Sequence, residues 1–543
     1  MKKRTLLLGV ISVIATTTAL VACEKEPPHT HDYADTVVTP TCTEQGYTVH
    51  TCACGDTVTD TYVAPIAEGH DYERLVVSST CEEAGYERDI CILCGDMGEQ
   101  TVLEANGHNW VLDSIVVESL ATRNAGVYTC QTCGETSERT ISFADLGVPI
   151  LSFDGDISTM TKDNKVVLDV SYESADESFV CDATLKWQGS SSLSYPKKNY
   201  TMQLLKEGTD KKNKVELDEG WGKQSKYCLK ANWIDFSQMR NVVSGQIYSE
   251  IVNSRGFDDE QGALANGGAV DGFPIVIFIN GDFQGLYTLN IPKDKWMFGM
   301  EDDEEDDDVV TKHAILAGDG WTDGAKLKEP INADYVSSGV ELEYYSTEET
   351  IGDAWVVESF NNMVNFVNAN DGEAFRNGIG EFVNVDRTID SMLYTWFILA
   401  ADNTAKNILW VTYDGIHWYS SMYDMDGTWG IAWNGQLSEG NSDLQLSWYT
   451  LSCNELWRKI FVNFNEEITK RYFELRTSVL SKENMKEKFT AFSNKISSIV
   501  VEAEQEKWTT VPGQETNNLA QIHDYIDMRC DVMDRYFLNR AFN

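Results

Sequence analysis

The sequence predicts an α+β protein in which small β-rich repeats precede one large mixed domain, and three observations predict it. Residues 31–141 repeat a His/Cys pattern, with the His markers 39 and then 38 positions apart. Asn280-Gly281 and Asp414-Gly415 each join two runs rich in β-branched and aromatic residues, which is a hairpin signature. Residues 454–542 carry helix-like apolar spacing, interrupted near Pro512-Gly513, and read as a helical packing layer.

Ahead of the repeats, Lys2, Lys3 and Arg4 form a positive n-region before the apolar stretch 6–22. That stretch is broken by Thr16, Thr17 and Thr18 and is short for a membrane span, which wants about 20 apolar residues. It ends in Leu20-Val21-Ala22-Cys23, which looks like a bacterial lipobox cleaved before the Cys. Residues 1–22 are therefore expected to be a lipoprotein signal peptide, with Cys23 the lipidated residue and 23–30 a polar tether. The expected location is extracytoplasmic, lipid-anchored to a bacterial cell membrane.

The 543 residues hold 43 Lys and Arg against 86 Asp and Glu, a formal charge of −43 spread along the chain. A surface this acidic repels nucleic-acid phosphate and anionic headgroups, so neither is an expected partner. It also makes divalent cations natural companions of any anionic substrate. Residues 301–308 are all Asp or Glu and predict a solvated loop, with casual calcium binding as the alternative. A monomer is expected.

The repeat has a fixed grammar. His31, His70 and His108 open three units, and Cys42 and Cys81 follow, each leading into Gly-Tyr (Gly46-Tyr47 and Gly85-Tyr86). Then come Cys52 with Cys54, Cys91 with Cys94, and Cys130 with Cys133, each pair followed by Gly. Alternating runs between the markers predict short strands, and units this small need a staple. Three thiols cannot pair off within a unit, whereas three Cys and one His make a tetrahedral zinc set. The expected sets are Cys42, Cys52 and Cys54 with a neighbouring His, and Cys81, Cys91 and Cys94 likewise, the His drawn from His70 and His108. Thr122 stands where the third unit's first Cys is expected, so that unit is incomplete. Disulfides, including pairing between units, are the alternative in an oxidising location. Either way the repeats 31–141 read as a stalk. Cys181, Cys228, Cys453 and Cys530 show no metal spacing and read as buried thiols or one disulfide.

Chemistry is expected in the main domain, 148–543, and within it at 390–433. An amphipathic helical run, 390–401, leads into Asp402-Asn-Thr-Ala-Lys-Asn407. The hairpin around Asp414-Gly415 follows and delivers Asp424-Met-Asp426-Gly427. A hairpin returns the chain to where it began, so Asp402, Asn407, Asp424 and Asp426 should converge. Phosphoryl transfer needs such a set: one Asp to orient the attacking hydroxyl, and an Asn and an Asp for magnesium. Local turn capping, structural calcium or plain solvation would use the same residues. A metal-dependent hydrolase ranks lower, since no ligand-like His accompanies them and His417 reads as a strand residue.

The upstream half carries a resemblance. Gly189-Ser190-Ser191-Ser192 runs into Pro196-Lys197-Lys198-Asn199-Tyr200, then Leu229-Lys230-Ala231-Asn232 with Asp235. Arg240-Asn241 opens a helical run, and Asn280-Gly281 precedes Gly285-Leu286-Tyr287. With the Asp-x-Asp at 424–426, this ordered series resembles the CotH family, named for a spore-coat kinase, over about residue 150 to the end. The resemblance implies an atypical, protein-kinase-like bilobal fold that uses ATP and magnesium to phosphorylate protein hydroxyls. It implies Asp402 as catalytic base and Asn407, Asp424 and Asp426 as magnesium ligands. Lys198 or Lys230 would contact phosphate, Gly189, Ser190 and Ser191 would form the loop over the nucleotide, and Arg240 and Asn241 would brace the site. The sequence departs from the pattern at Ala400-Ala401, where protein kinases carry His-Arg, and at Ile291-Pro292, where many relatives carry Glu. It also has no Gly-x-Gly-x-x-Gly. The alternative reading is a non-catalytic surface module for adhesion or assembly, with the aromatic residues of 410–449 stacking on polysaccharide.

Overall fold

The computed structural model describes residues 29–118, 122–256, 259–300, 312–346, 352–438 and 453–542. Cys23 with its lipobox, and the acidic run 301–308, lie outside the described residues. The chain divides into two compact units, with the boundary between His108 and Asn109.

The first unit contains two antiparallel three-stranded meanders. One is β1 (Tyr33–Val38), β2 (Gly46–Cys52) and β3 (Thr57–Val63); the other is β4 (Tyr72–Val77), β5 (Gly85–Cys91) and β6 (Met97–Leu103). Tyr33 pairs with Cys52, and Tyr72 with Cys91, in matching registers. Neither meander has an apolar core. Among residues 29–108 the buried positions are Cys42, Gly46, Cys52, Cys81, Gly85 and Cys91. The cysteines are the interior.

The second unit begins with the third repeat, whose strands β7 (Trp110–Ile115), β8 (Ala125–Cys130) and β9 (Thr136–Thr140) form a third sheet. This repeat does have an apolar interior. Leu112, Ile115, Tyr128 and Ile141 share a core with Ile150, Val276, Phe278, Phe283, Leu286 and Val500.

A seven-stranded closed barrel follows, in the order β10-β11-β12-β13-β14-β16-β15. Its strands are β10 (Ile150–Asp154), β11 (Val166–Glu173), β12 (Ser178–Gln188), β13 (Asn199–Leu205), β14 (Lys226–Lys230), β15 (Gly272–Ile279) and β16 (Asp282–Asn290). One parallel pairing, β10 with β15, closes it. The β15–β16 hairpin turns at Asn280 (φ 54°) and Gly281 (φ 90°), the double positive φ that an Asn-Gly turn supplies. Helix α1 (Arg240–Asn253) is buried almost all round, its first residues Arg240 and Asn241 included.

The rest is a four-stranded sheet and helices. The sheet runs β18 (Val340–Tyr345), β17 (Ala314–Gly318), β19 (Ile408–Thr412), β20 (Trp418–Met422). The expected run at 390–401 forms helix α2 (Val385–Phe397), buried on nearly every residue from Arg387 onward. The C-terminal layer is α3 (Glu455–Asn463), α4 (Asn465–Arg476), α5 (Lys482–Ser493), α6 (Ser498–Lys507) and α7 (Leu519–Phe542), with Pro512-Gly513 falling in the gap before the last helix. Cys181, Cys228, Cys453 and Cys530 are buried cysteines. Trp410, Trp418 and Trp429 are core side chains. Most of the aromatic stretch thus fills the interior, while Trp433 is 73% exposed.

Candidate active site

Two loops meet at the edge of the β19–β20 hairpin. Helix α2 ends at Phe397, and Leu399 (φ 55°) then turns the chain toward a short 3-10 turn, Asp402–Thr404. Ile408 pairs with Met422 and Thr412 with Trp418, so the strands leave and return side by side. The Tyr423 amide then donates to the Asn407 carbonyl at 3.1 Å. Buried Asn403 ties the loops a second time, its amide donating to the carbonyls of Asn407 (3.2 Å) and Tyr423 (2.8 Å). Asn407 (φ 59°) and Asp424 (φ 60°) both adopt the left-handed region. Neither is glycine, and strained positions of this kind concentrate where side-chain placement matters.

The expected convergence is present. Asp402, Asn407, Asp424 and Asp426 all line one cavity of about 670 Å³. A recess of about 30 Å³ adjoins it, lined by Lys230, Asn232 and the same Asp424 and Asp426. The three aspartates do not crowd one point, however. Among the described residues, every group of three or more Cys, His, Asp or Glu with ligand atoms within 4.8 Å of one another involves the Cys/His repeats.

Electrostatics separates the carboxylates. Burial raises Asp402, aided by the charge of Asp424 and opposed by Lys406. Burial also works against the charge on Asp424, but the Lys230 ammonium 3.1 Å away outweighs it and holds that carboxyl below its usual range. Asp426 is pushed well above the usual range by burial and by Asp424, with Lys230 opposing. Asp424 and Asp426 thus lie together beside buried Lys230, and Asp426 is left short of positive charge. A further positive charge is what this donor set lacks, so the residues fit a divalent cation held by Asp424 and Asp426.

The other expected residues divide. Lys230 sits at the recess, paired with Asp424. The ammonium of Lys198 is instead spent on the preceding loop, donating to the carbonyls of Leu193 (2.7 Å) and Tyr195, and it does not line the cavity. Pro196 carries the chain straight from that loop into β13, which leaves Lys198 folded back over the turn it follows. Ser191 and Ser192 line the cavity, while Gly189 (φ 121°) and Ser190 shape the turn behind them. Arg240 and Asn241 brace from below. Asn241 accepts from the Met425 amide at 3.0 Å, between the two aspartates, and fully buried Arg240 pairs with Asp235 at 2.5 Å and donates to the Thr428 carbonyl. His417 lies in the hairpin turn, bonded to Asp414. At the Ile291-Pro292 departure, Ile291 is core, and Lys293 behind it pairs with Glu341 (3.4 Å) and with Glu343.

The larger unit thus carries the expected motifs in one place. A family model described as CotH kinase protein matches residues 185–533. The chain belongs to the CotH kinase family. None of the curated proteins matches it. The CotH match begins inside β12 and reaches into the last helix, so it spans the cavity and both of its walls.

Sequence reasoning passed over several residues at this CotH site. Lys406 lies inside the Asp402–Asn407 motif and lines the cavity, and its charge between the candidate base and a candidate ligand was the available signal. Asn403 was an unmarked letter in the same motif. Trp321 and Trp433 line the cavity from distant segments and carry no local signal.

The zinc sets group differently from expectation. Cys42 clusters with His70, Cys91 and Cys94, and Cys52 and Cys54 cluster with His29 and His31. Cys81 and His108 do not join either group. Both clusters are compatible with structural zinc. The within-repeat grouping fails for a geometric reason. Cys42 precedes β2 and Cys52 ends it, and seven residues rising about 3.4 Å each hold the two thiols roughly 20 Å apart. Strand β5 separates Cys81 from Cys91 in the same way.

Proposed function

We propose that the larger unit is an ATP-dependent phosphotransferase of protein-kinase type that acts on protein hydroxyls, anchored outside the cell membrane by lipid on Cys23. The observation that carries this is the cavity: a raised carboxyl, Asp402, faces the same space as an anion pair, Asp424 and Asp426, that one lysine leaves undercompensated. In kinase terms, the barrel and the helical part would be the two lobes of a bilobal fold.

Magnesium-ATP would supply the phosphoryl group and the charge that draws electrons from it. Asp402 would orient the acceptor hydroxyl and take its proton as the oxygen bonds to the γ-phosphorus and the bond to the bridging oxygen breaks, releasing ADP, a role suited to a carboxylate made more basic by burial. Asp424 and Asp426 would hold the metal, with Asn407 beside them. Lys230 fixes Asp424 and offers its remaining N–H donors toward phosphate oxygens. Ser191 and Ser192 supply small, polar walls where a backbone loop can approach a nucleotide.

The test is nucleotide binding with and without magnesium, run beside phosphate transfer to the protein itself. Asp402→Asn should bind nucleotide and transfer nothing; Asp424→Asn should lose binding. Absence of nucleotide binding at millimolar magnesium would overturn the reading. It would favour a surface-binding module, for which exposed Trp433 at the cavity wall offers a stacking platform. The anchoring part stands apart: Cys23→Ala should leave the membrane fraction, and its retention there would remove that claim.

A further inference from the structure

The Cys/His clusters of the first unit do not respect the repeat boundaries, and this has a consequence for how the repeats hold together. The Cys42 and Cys91 sulfurs are 3.3 Å apart, and Cys94 lies 3.4 Å from His70 Nδ1. At the leading end, Cys54 lies 3.3 Å from His31 Nδ1, and the His29 and His31 rings are 4.5 Å apart. Ligands around a tetrahedral zinc, at about 2.3 Å for sulfur and about 2.0 Å for nitrogen, sit roughly 3.5–3.8 Å from one another. The sulfur–sulfur and sulfur–nitrogen contacts lie just short of that range, and in each group every ligand atom is within 4.8 Å of the others, close enough for one ion to gather them.

We propose that zinc in this chain is held across repeat junctions: Cys42 of the first repeat completes a three-Cys, one-His site with His70, Cys91 and Cys94 of the second, and His29 closes the leading site with His31, Cys52 and Cys54.

The topology requires this sharing. Each meander places its opening His beside its own Cys pair, because Tyr33 pairs with Cys52 and Tyr72 with Cys91. That supplies three ligands. The repeat's remaining Cys lies at the far end of a strand and cannot supply the fourth. Cys42 reaches the second repeat instead. The sequence supports the same one-way donation. The third repeat has no repeat after it before residue 141, and it carries Thr122 where its donor Cys would stand. At the first repeat His29 stands in the place of a donor Cys. Burial agrees, since Cys42, Cys52 and Cys91 lie among the few buried residues of 29–108, where neither meander has an apolar core. Each ion therefore supplies the interior of one repeat and, at Cys42, its junction to the neighbour, so the repeats form a linked array rather than independent beads.

The experiment is zinc counting on the purified full-length protein, using pairs of substitutions. Cys42→Ser and Cys94→Ser should each lose about one zinc ion, and the double variant no more than either single, because both remove the same site. Cys42→Ser with Cys52→Ser should lose about two. Cys42→His, which keeps a ligand, should retain zinc and separates a lost ligand from a misfolded repeat. The inference is overturned if Cys42 and Cys52 behave as one site. It is equally overturned if the wild type holds no zinc and peptide mapping finds Cys42 disulfide-bonded to Cys91.

Discussion

At the scale of single residues, the cavity assigns opposite ionisation preferences to carboxylates a few positions apart. Burial raises Asp402 and Lys406 opposes it, so the acid limb of the transfer rate should lie above the range of an ordinary carboxylate, near 4. Lys406→Met removes the opposing charge and should move that limb to still higher pH, by up to about one unit. A rate profile unchanged in Lys406→Met would mean that Asp402 is not the titrating base. Asp426 gives a prediction about stability. Its carboxyl is raised in the folded state by burial and by Asp424, so the folded protein binds that proton more tightly than the unfolded chain. Its charge therefore destabilises the fold at neutral pH, and the cost fades as pH falls and the group protonates. In metal-free buffer Asp426→Asn should melt a few degrees above wild type at pH 7, with the gap closing toward pH 4. Magnesium should raise the melting temperature of the wild type and do less for the variant.

At the scale of elements, the hairpin was the most legible part of the site. Asp414-Gly415 between β-rich runs predicts β19 and β20 from local residues alone, and strand return then brings Asp402 and Asn407 near Asp424 and Asp426. The lysines were not legible in the same way. Lys198 and Lys230 look equivalent in sequence, and what separates them is their place in the barrel: Lys198 sits in the loop before β13 and turns onto its carbonyls, while Lys230 ends β14 and meets Asp424. Nor was Gly318 visible, since its role depends on a partner 87 positions away. Its carbonyl accepts from the Asn407 amide at 2.8 Å, and a Cβ there would stand 1.9 Å from the Ala405 carbonyl oxygen. Gly318→Ala should therefore push the 402–407 loop away from β17. The expected result is a loss of about 1–3 kcal/mol in urea unfolding. Transfer should fall by more than that loss of folded population explains.

At the scale of the molecule, the two units are stabilised by different physics. The larger one closes a barrel and packs most of its helices around one large cluster of aliphatic and aromatic side chains running from Leu151 to Phe537, with α6 joining the cluster beside the third repeat. Its α+β class and order of motifs could be read from the sequence because apolar periodicity records burial. The first two repeats record nothing of the kind. Strands β3 and β4 are exposed along their whole length, and the period of about 39 places equivalent cysteines at equivalent positions whether a site closes within a repeat or across two. Strand length was the discriminating cue, since β2 alone keeps Cys42 from Cys52. This difference should appear on chelation. Removing metal with a strong chelator, under conditions that keep thiols reduced, should open residues 29–108 to protease and to thiol alkylation. Residues 150–542, whose interior is apolar, should remain as a resistant fragment with an unshifted melting transition. Hydrogen exchange followed before and after chelation would locate the change. Protection that persists across β1–β6 without metal would show that the meanders hold themselves together by backbone pairing alone, which strands this exposed and this short are not expected to do.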